Sequence, residues 1–496
     1  MPPAPRRPAR PRARPPRRPG RPRRAPLPPS ARAAALRASA DRGQVDDLTP
    51  LLVALSDPVE GIRQTAAIAL GILGDRRGAT TLATALHDPA PAVRASAAEA
   101  LATAGRPEHR RDLEDALADP DGHVRAKAAD ALATFADPDS VPPLAALAHD
   151  PVDEVRPAVA RALARIGGAP ARAALAGLLE DRSDRVRREA VLGLGRADPA
   201  GAADRVRRML DDPARRVRAA AAVVLGRARD RAAVPRLRAL LGGDDLWEKP
   251  SVLVALGRIG DPAAVPDLVA AAESPSLALR VCAVHALGEL GGPVAREVVR
   301  RALADPAWQV RGAAGFALGS AGAPEDEGRL RERLDDPHPW PRRGATYALG
   351  RLGAAAAAPR IREELADPDA EVRLAAVWAL GRLGDDGARE ELVRLLRDGP
   401  TPTSPGEAGT AEGLRSDAES RLFDAVVQAL GRLPHGLDDP FVQGALVAAR
   451  AQFADEELDR LARLPLPELG ADAPTPTLRA LFDGAIASSY DEEDAG

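Results

Sequence analysis

Lysine occurs only at Lys127 and Lys249, and cysteine only at Cys282. A single cysteine excludes a disulfide framework and a cysteine-based zinc cluster. Aromatic residues are scarce too: four Trp, two Tyr and six Phe in 496 residues, 2% against 45% hydrophobic overall. The apolar content is therefore mostly Ala, Leu and Val. Aromatic side chains bury the most area per residue, so thick globular cores use many of them. Their absence suits thin layers of closely packed helices. No apolar run approaches the roughly 18 residues of a membrane-spanning helix. No signal-peptide apolar region follows the basic start, so the expected location is the cytoplasm. Length alone allows two to four ordinary domains.

Acidic residues are missing from one place. Residues 1–30 hold ten Arg, twelve Pro and no acid, so a net charge of −3 for the chain leaves −13 on the remainder. Residues 1–29 are expected to form a disordered Arg/Pro-rich tail. Ten guanidinium groups would neutralise phosphates without reading a base sequence, which makes nucleic acid one candidate partner. The acidic body argues against that partner elsewhere.

What the chain has is a period. Asp57, Asp88, Asp119, Asp150, Asp181, Asp212, Asp305, Asp336 and Asp367 lie on one 31-residue grid, with Gly243 and Ser274 in its two vacant places. Six residues after every grid point stands a cation, from Arg63, Arg94, Arg125 and Arg156 through Lys249 to Arg311 and Arg373. Thirteen residues after every grid point stands Leu, from Leu70 to Leu380. Twenty-five residues after stands an aliphatic side chain, such as Leu82, Leu113 or Ile361. Such self-similarity at a fixed interval is the signature of a stacked repeat.

Each repeat reads as two helices. Asp-Pro is expected to open the second, with Asp as cap and Pro at the first helical position. Counted from the Asp, positions 5, 9, 12, 13 and 16 are apolar or small, as in Val93, Ala97, Ala100, Leu101 and Ala104. That is helical spacing with one inward stripe. Gly74, Gly105, Gly167, Gly260 and Gly384 stand where the helix should end. Neither helix is long enough to be stable alone, so stacking must supply the core.

The pattern Asp-Pro-x3-Val-Arg-x2-Ala-x2-Ala-Leu, present at Asp88, Pro89, Val93, Arg94, Ala97, Ala100 and Leu101, resembles HEAT repeats. It is similar to the short-repeat subgroup also found in phycobilin lyase subunits and in deoxyhypusine hydroxylase. The resemblance covers residues 30–450. It implies an all-α, right-handed solenoid of about twelve 31-residue antiparallel helix pairs. It implies no activity, because function sits on sites grafted onto folds.

The ends leave the grid. Residues 30–43 read as a degenerate second helix in which Arg32 and Gly43 keep register. Residues 399–416 read as a disordered loop inside a twelfth repeat, and the grid resumes 19 residues late at Asp417. A further helix pair is expected over 438–464. Residues 451–496 are expected to hold cap helices, a proline-rich linker from Leu464 to Thr477, a short amphipathic segment with Leu478, Leu481 and Phe482, and the acidic tail 491–494.

Candidate chemistry is thin. The repeated pairs Asp57 and Arg63, Asp88 and Arg94, Asp119 and Arg125, Asp150 and Arg156, Asp305 and Arg311, and Asp367 and Arg373 suit a structural ladder. Each Arg would reach an Asp at its own or a neighbouring turn. The di-iron site of deoxyhypusine hydroxylase uses His-Glu dipeptides on second helices. Here none of the seven His is followed by Glu, and matching positions read Ala95-Ser96 and Gly312-Ala313. No metal or cofactor is expected. Cys282 lies among Val281, Ala283 and Val284 and suits a packed thiol better than a nucleophile.

The aromatics are unevenly placed. Residues 1–246 hold only Phe135, whereas 247–378 hold Trp247, Trp308, Phe316, Trp340, Tyr347 and Trp378. Position 11 reads His285, Phe316, Tyr347 and Trp378 in four successive repeats, and position 15 carries Arg258, Arg351 and Arg382 among other arginines. At 100° per residue these positions share one flank of the second helix. Trp, Tyr, Phe and Arg on one flank match the composition of a binding hot spot. Larger rings filling wider gaps between repeats would give the same pattern. The function expected is a non-catalytic scaffold binding a protein or peptide on the concave second-helix face. A lyase- or hydroxylase-like enzyme and nucleic-acid binding through the tail are the alternatives.

Overall fold

In the computed structural model, the described residues are 28–40, 47–243, 246–398, 422, 425–433, 440 and 442–444. They contain no strand. The chain divides into two compact units, residues 1–143 and 144–496, although the sequence period runs through the division unbroken.

In the first unit, the helices Pro29–Ala40, Glu60–Leu73, Pro91–Ala104 and Gly122–Phe135 pack side by side in that order. The shorter helices Thr49–Ala54, Ala79–Ala85 and Arg110–Ala116 form a second layer, each against the long helix that follows it. Leu70, Leu101 and Leu132 from the long helices and Leu82 and Leu113 from the short ones are all fully buried. Each contributes about 2 kcal/mol of apolar burial.

The second unit repeats this arrangement. Its eight long helices run from Val155–Ile166 to Ala370–Leu383, each packed on the next. Close packing depends on small residues at position 14. A Cβ at Gly257 would lie 2.6 Å from the backbone of Ala286, and one at Gly226 would lie 2.8 Å from that of Ala255. Helices in contact at these points leave no room for large side chains, which is why Ala and Leu suffice.

The start of the second helix differs from expectation. Helices begin three residues beyond the Asp, at Glu60, Pro91 and Gly122. The Asp instead closes the preceding turn, as Asp57 Oδ1 accepts the Val59 N–H at 2.9 Å. A tight turn needs this bond before the chain can reverse into the helix. The helix ends follow the sequence more closely. Gly74, Gly260 and Gly384 are left-handed, but Gly105 is not (φ −69°), and Ala136 and Arg229 occupy left-handed ends without glycine.

Residues 425–430 are helical, with Val426, Val427, Ala429 and Leu430 buried. The loop 399–416, the linker 464–477, the amphipathic segment, the acidic tail and residues 1–27 lie outside the described residues, as does most of the proposed helix pair 438–464.

Candidate partner-binding site

The ladder comes first, because it decides which charges remain available. Arg63 holds the carboxylate of the next repeat with two bonds, Nε to Asp88 Oδ2 at 2.6 Å and Nη2 to Oδ1 at 2.8 Å. Its remaining nitrogen, Nη1, donates to the backbone carbonyl of its own Asp57 at 2.9 Å. So each Arg reaches both turns, by different groups. The same geometry recurs at Arg94 with Asp119, Arg187 with Asp212, Arg311 with Asp336 and Arg342 with Asp367, at 2.6–2.9 Å. Arg125 and Arg373 keep the bond to their own Asp carbonyl, each at 2.7 Å. Arg32 pairs with Asp57, which extends the ladder to the first described helix. The Arg63 guanidinium holds the Asp88 carboxyl below its usual range. This planar two-pronged grip is what Arg supplies and Lys does not.

The two vacant grid places are handled differently. At Gly243 the acid is replaced by Glu248, 3% exposed, whose Oε2 accepts from Arg218 Nε at 2.7 Å. The helix there starts late, at Lys249, and ends at Ile259. At Ser274 the hydroxyl takes over the turn bond, accepting the Ser276 N–H at 3.2 Å, and the carbonyl still accepts from Arg280 at 3.1 Å. No carboxylate among the described residues takes its place.

The aromatic flank resolves into a packed part and a surface part. Phe316, Tyr347 and Trp378 are 5%, 2% and 2% exposed and lie against one another, with ring centroids 5.5 Å and 4.9 Å apart. Rings so enclosed present no face to a partner, so these three fill gaps between repeats. The gaps are made by glycine: a Cβ at Gly350 would lie 2.9 Å from Trp378, and one at Gly319 would lie 3.0 Å from Tyr347. Trp340 is partly open but lies over Gly312 in the same way, with the Arg343 guanidinium 5.4 Å from its ring centre. Trp308 is partly open and stacks on His338 at 3.7 Å. Burial lowers the His338 pKa, and its Nδ1 accepts the Trp340 N–H at 3.3 Å, as a neutral imidazole must. Trp247 is half-buried under Arg215 at 5.5 Å, beside an exposed Leu246.

The proposed site arginines also divide. Arg258 shares Glu289 with His285, at 3.9 and 3.6 Å. Burial keeps His285 neutral by lowering its pKa. Arg351 is half-buried, and Arg382 is exposed with its guanidinium 5.3 Å over the Trp378 ring. The same position carries a sharper feature in the repeats before these. Arg165, Arg196 and Arg227, in three successive repeats, are exposed and have no ionic partner among the described residues. Their regular spacing was visible, but only the structure separates them from the ladder arginines, which are tied down.

Two further groups bear on chemistry. Burial pushes the Cys282 thiol up to about 12, so it stays protonated and is no nucleophile. Glu364, 3% exposed, is pushed up to about 8 by burial and bonds the Thr346 hydroxyl. Thr346 Oγ1 also lies 2.9 Å from the Arg342 carbonyl. One hydroxyl proton cannot serve both oxygens, so a protonated Glu364 donating to Thr346 satisfies the pair. No metal-holding group of three or more His, Cys, Asp or Glu occurs among the described residues. No helix among them is long and apolar enough to cross a membrane.

HEAT repeats are matched over residues 26–102, 79–164, 110–192, 171–249, 249–319 and 327–404. The chain belongs to the HEAT-repeat family. It is accordingly an all-α solenoid. Importin β, crystallised with ammonium sulfate, is similar at 15% identity and TM-score 0.50, over 92% of this chain and 76% of its own. Kap95p bound to RanGDP is similar at 14% and 0.50, over 86% and 71%. The CpcE–CpcF phycocyanin lyase complex of Nostoc sp. aligns at 21% and 0.32, over 64% and 94%. At such identities the first two show a shared fold alone. No curated protein matches the chain.

Proposed function

We propose that this protein is a non-catalytic scaffold whose second-helix face binds an acidic surface of a protein partner. The observation that carries it is the row Arg165, Arg196 and Arg227, exposed and without ionic partners among the described residues. A ladder Arg lies nine residues before each of them, which at 100° per residue is about 180° around the helix. The ladder side holds the repeats together, and the opposite side is left to recognise something else. Arginine is the residue type best suited to bidentate recognition of carboxylates. Arg382 and the partly open Trp340 extend the same face, and Trp247 adds a ring at its edge. Kap95p, which shares this fold, binds RanGDP, which supports a protein as the class of ligand. A net charge of −13 beyond residue 30 opposes a polyphosphate on this body.

The test is quantitative affinity capture with wild-type protein and an R165A/R196A/R227A variant of unchanged helicity. The proteins enriched by wild type should be lost by the variant. Retention of the same proteins, or loss of nucleic acid alone after nuclease treatment, would reject this reading.

A further inference from the structure

Two clefts in the second unit occupy the same place in the grid, three periods apart. The first, about 460 Å³, is lined by Asp150, Arg156, Gly177, Leu178, Glu180 and Asp181, among others. The second, about 500 Å³, is lined by Lys249, Leu253, Ala270, Ala271, Ser274 and Pro275, among others. Counted from grid points 150 and 243, the cation stands at position 6 in both, and the next grid residue at position 31. In the first cleft that cation and that residue are an ion pair, Arg156 Nε to Asp181 Oδ2 at 2.8 Å. In the second they are Lys249 and Ser274, and Lys249 has no ionic partner among the described residues.

The other charges at the second cleft are engaged. Arg238 bonds Asp267, Glu273 lies 3.6 Å from Arg301, and Glu248 beside Lys249 is taken by Arg218. One ammonium is left over, at the place where every regular repeat supplies a carboxylate. Leu253, Leu279 and Pro275 line the same cleft and would cover an aliphatic stem.

We propose that this cleft is a carboxylate-binding notch, which accepts an Asp or Glu side chain from an acidic segment of a partner protein in place of the missing grid Asp. The incoming carboxylate pairs with Lys249 and its methylene groups lie on the apolar wall. Lysine fits this use better than arginine, because a single flexible ammonium meets an acid from outside without demanding the fixed two-pronged geometry of the ladder. The notch is on the ladder side of the helix and is independent of the exposed arginine row.

The test uses the full chain and a fluorescein-labelled acetyl-hexaglutamate peptide, read by fluorescence anisotropy at physiological salt. Saturable binding is expected, weakened about tenfold by Lys249→Met. Ser274→Asp restores the grid acid. It should weaken the peptide to the same degree and also raise the thermal midpoint, because it neutralises the ammonium from within. The R165A/R196A/R227A variant should keep this Lys249-dependent component, which separates failure of the notch from failure of the arginine row. Equal peptide affinity in wild type, Lys249→Met and Ser274→Asp overturns the proposal, as does no binding by wild type. Inorganic phosphate binding at Lys249 as tightly as the peptide overturns the assignment to an acidic side chain.

Discussion

The clefts at Asp181 and Ser274 share a frame but differ in its charges: Arg156 stands between Asp150 and Asp181 in the first, Lys249 between Gly243 and Ser274 in the second. In the first, Arg156 is 3% exposed and bonds Asp181, Asp153 and the Asp150 carbonyl, so both partners belong to the chain. In the second, the cation is present and its partner is not. A third repeat varies the same interface again. Position 28 from the grid Asp is Leu178 in the first cleft, Ala271 in the second and Glu364 in the repeat of Asp336. The fold tolerates an ion pair, an open notch or a buried acid there, because the Leu, Ala and Gly seam carries most of the packing. Regular positions build the array, and departures from them are where specific chemistry has room to enter.

The largest effect should come from removing the grid carboxylate of the first cleft. Asp181→Ser removes the buried carboxylate that pairs with Arg156, leaves it only the exposed Asp153, and should cost about 3 kcal/mol in chemical denaturation, since breaking a buried pair from one side leaves its charge poorly compensated. A cost near zero would mean that the ladder is decorative. Glu248→Ala removes the substitute acid at Gly243 and should cost about 2 kcal/mol by the same argument, softened by the bond that Arg218 keeps to the Asp212 carbonyl.

The third variation predicts a pH effect. Glu364 is raised in the fold, so the native state binds its proton more tightly than the unfolded chain does. Its contribution is complete below the ordinary carboxylate range and is lost as pH rises through about 8. Thermal midpoints should therefore fall from about pH 5 to about pH 8 and level off above, and Glu364→Gln should flatten that fall. An unchanged slope in the variant would place the titration elsewhere. The smallest stability effect belongs to the exposed row. R165A/R196A/R227A should leave stability within about 0.5 kcal/mol per site while abolishing partner capture. A large destabilisation would show that these arginines brace the helices instead.

Much of this was legible in advance. The repeat, the helix pairs, the buried Leu at positions 13 and 25 and the Asp–Arg ladder all follow from the 31-residue grid. Three features were not. The Asp closes a turn instead of capping the helix, because its side chain satisfies the nearest free N–H, two residues on. Phe316, Tyr347 and Trp378 share a flank with exposed arginines yet are enclosed, and for Tyr347 and Trp378 glycines on the preceding helix open the space. The lone acid Glu364 carries no pattern at all, and only its surroundings make it unusual.

The scarcity of aromatics and lysine, the period and its two vacancies belong to the sequence, since periodicity and side-chain size alone dictate thin stacked helices. Tertiary structure decided which charges are used up and which remain. An arginine's availability depends on whether a carboxylate from the neighbouring repeat reaches it. That distance arises only when the repeats pack.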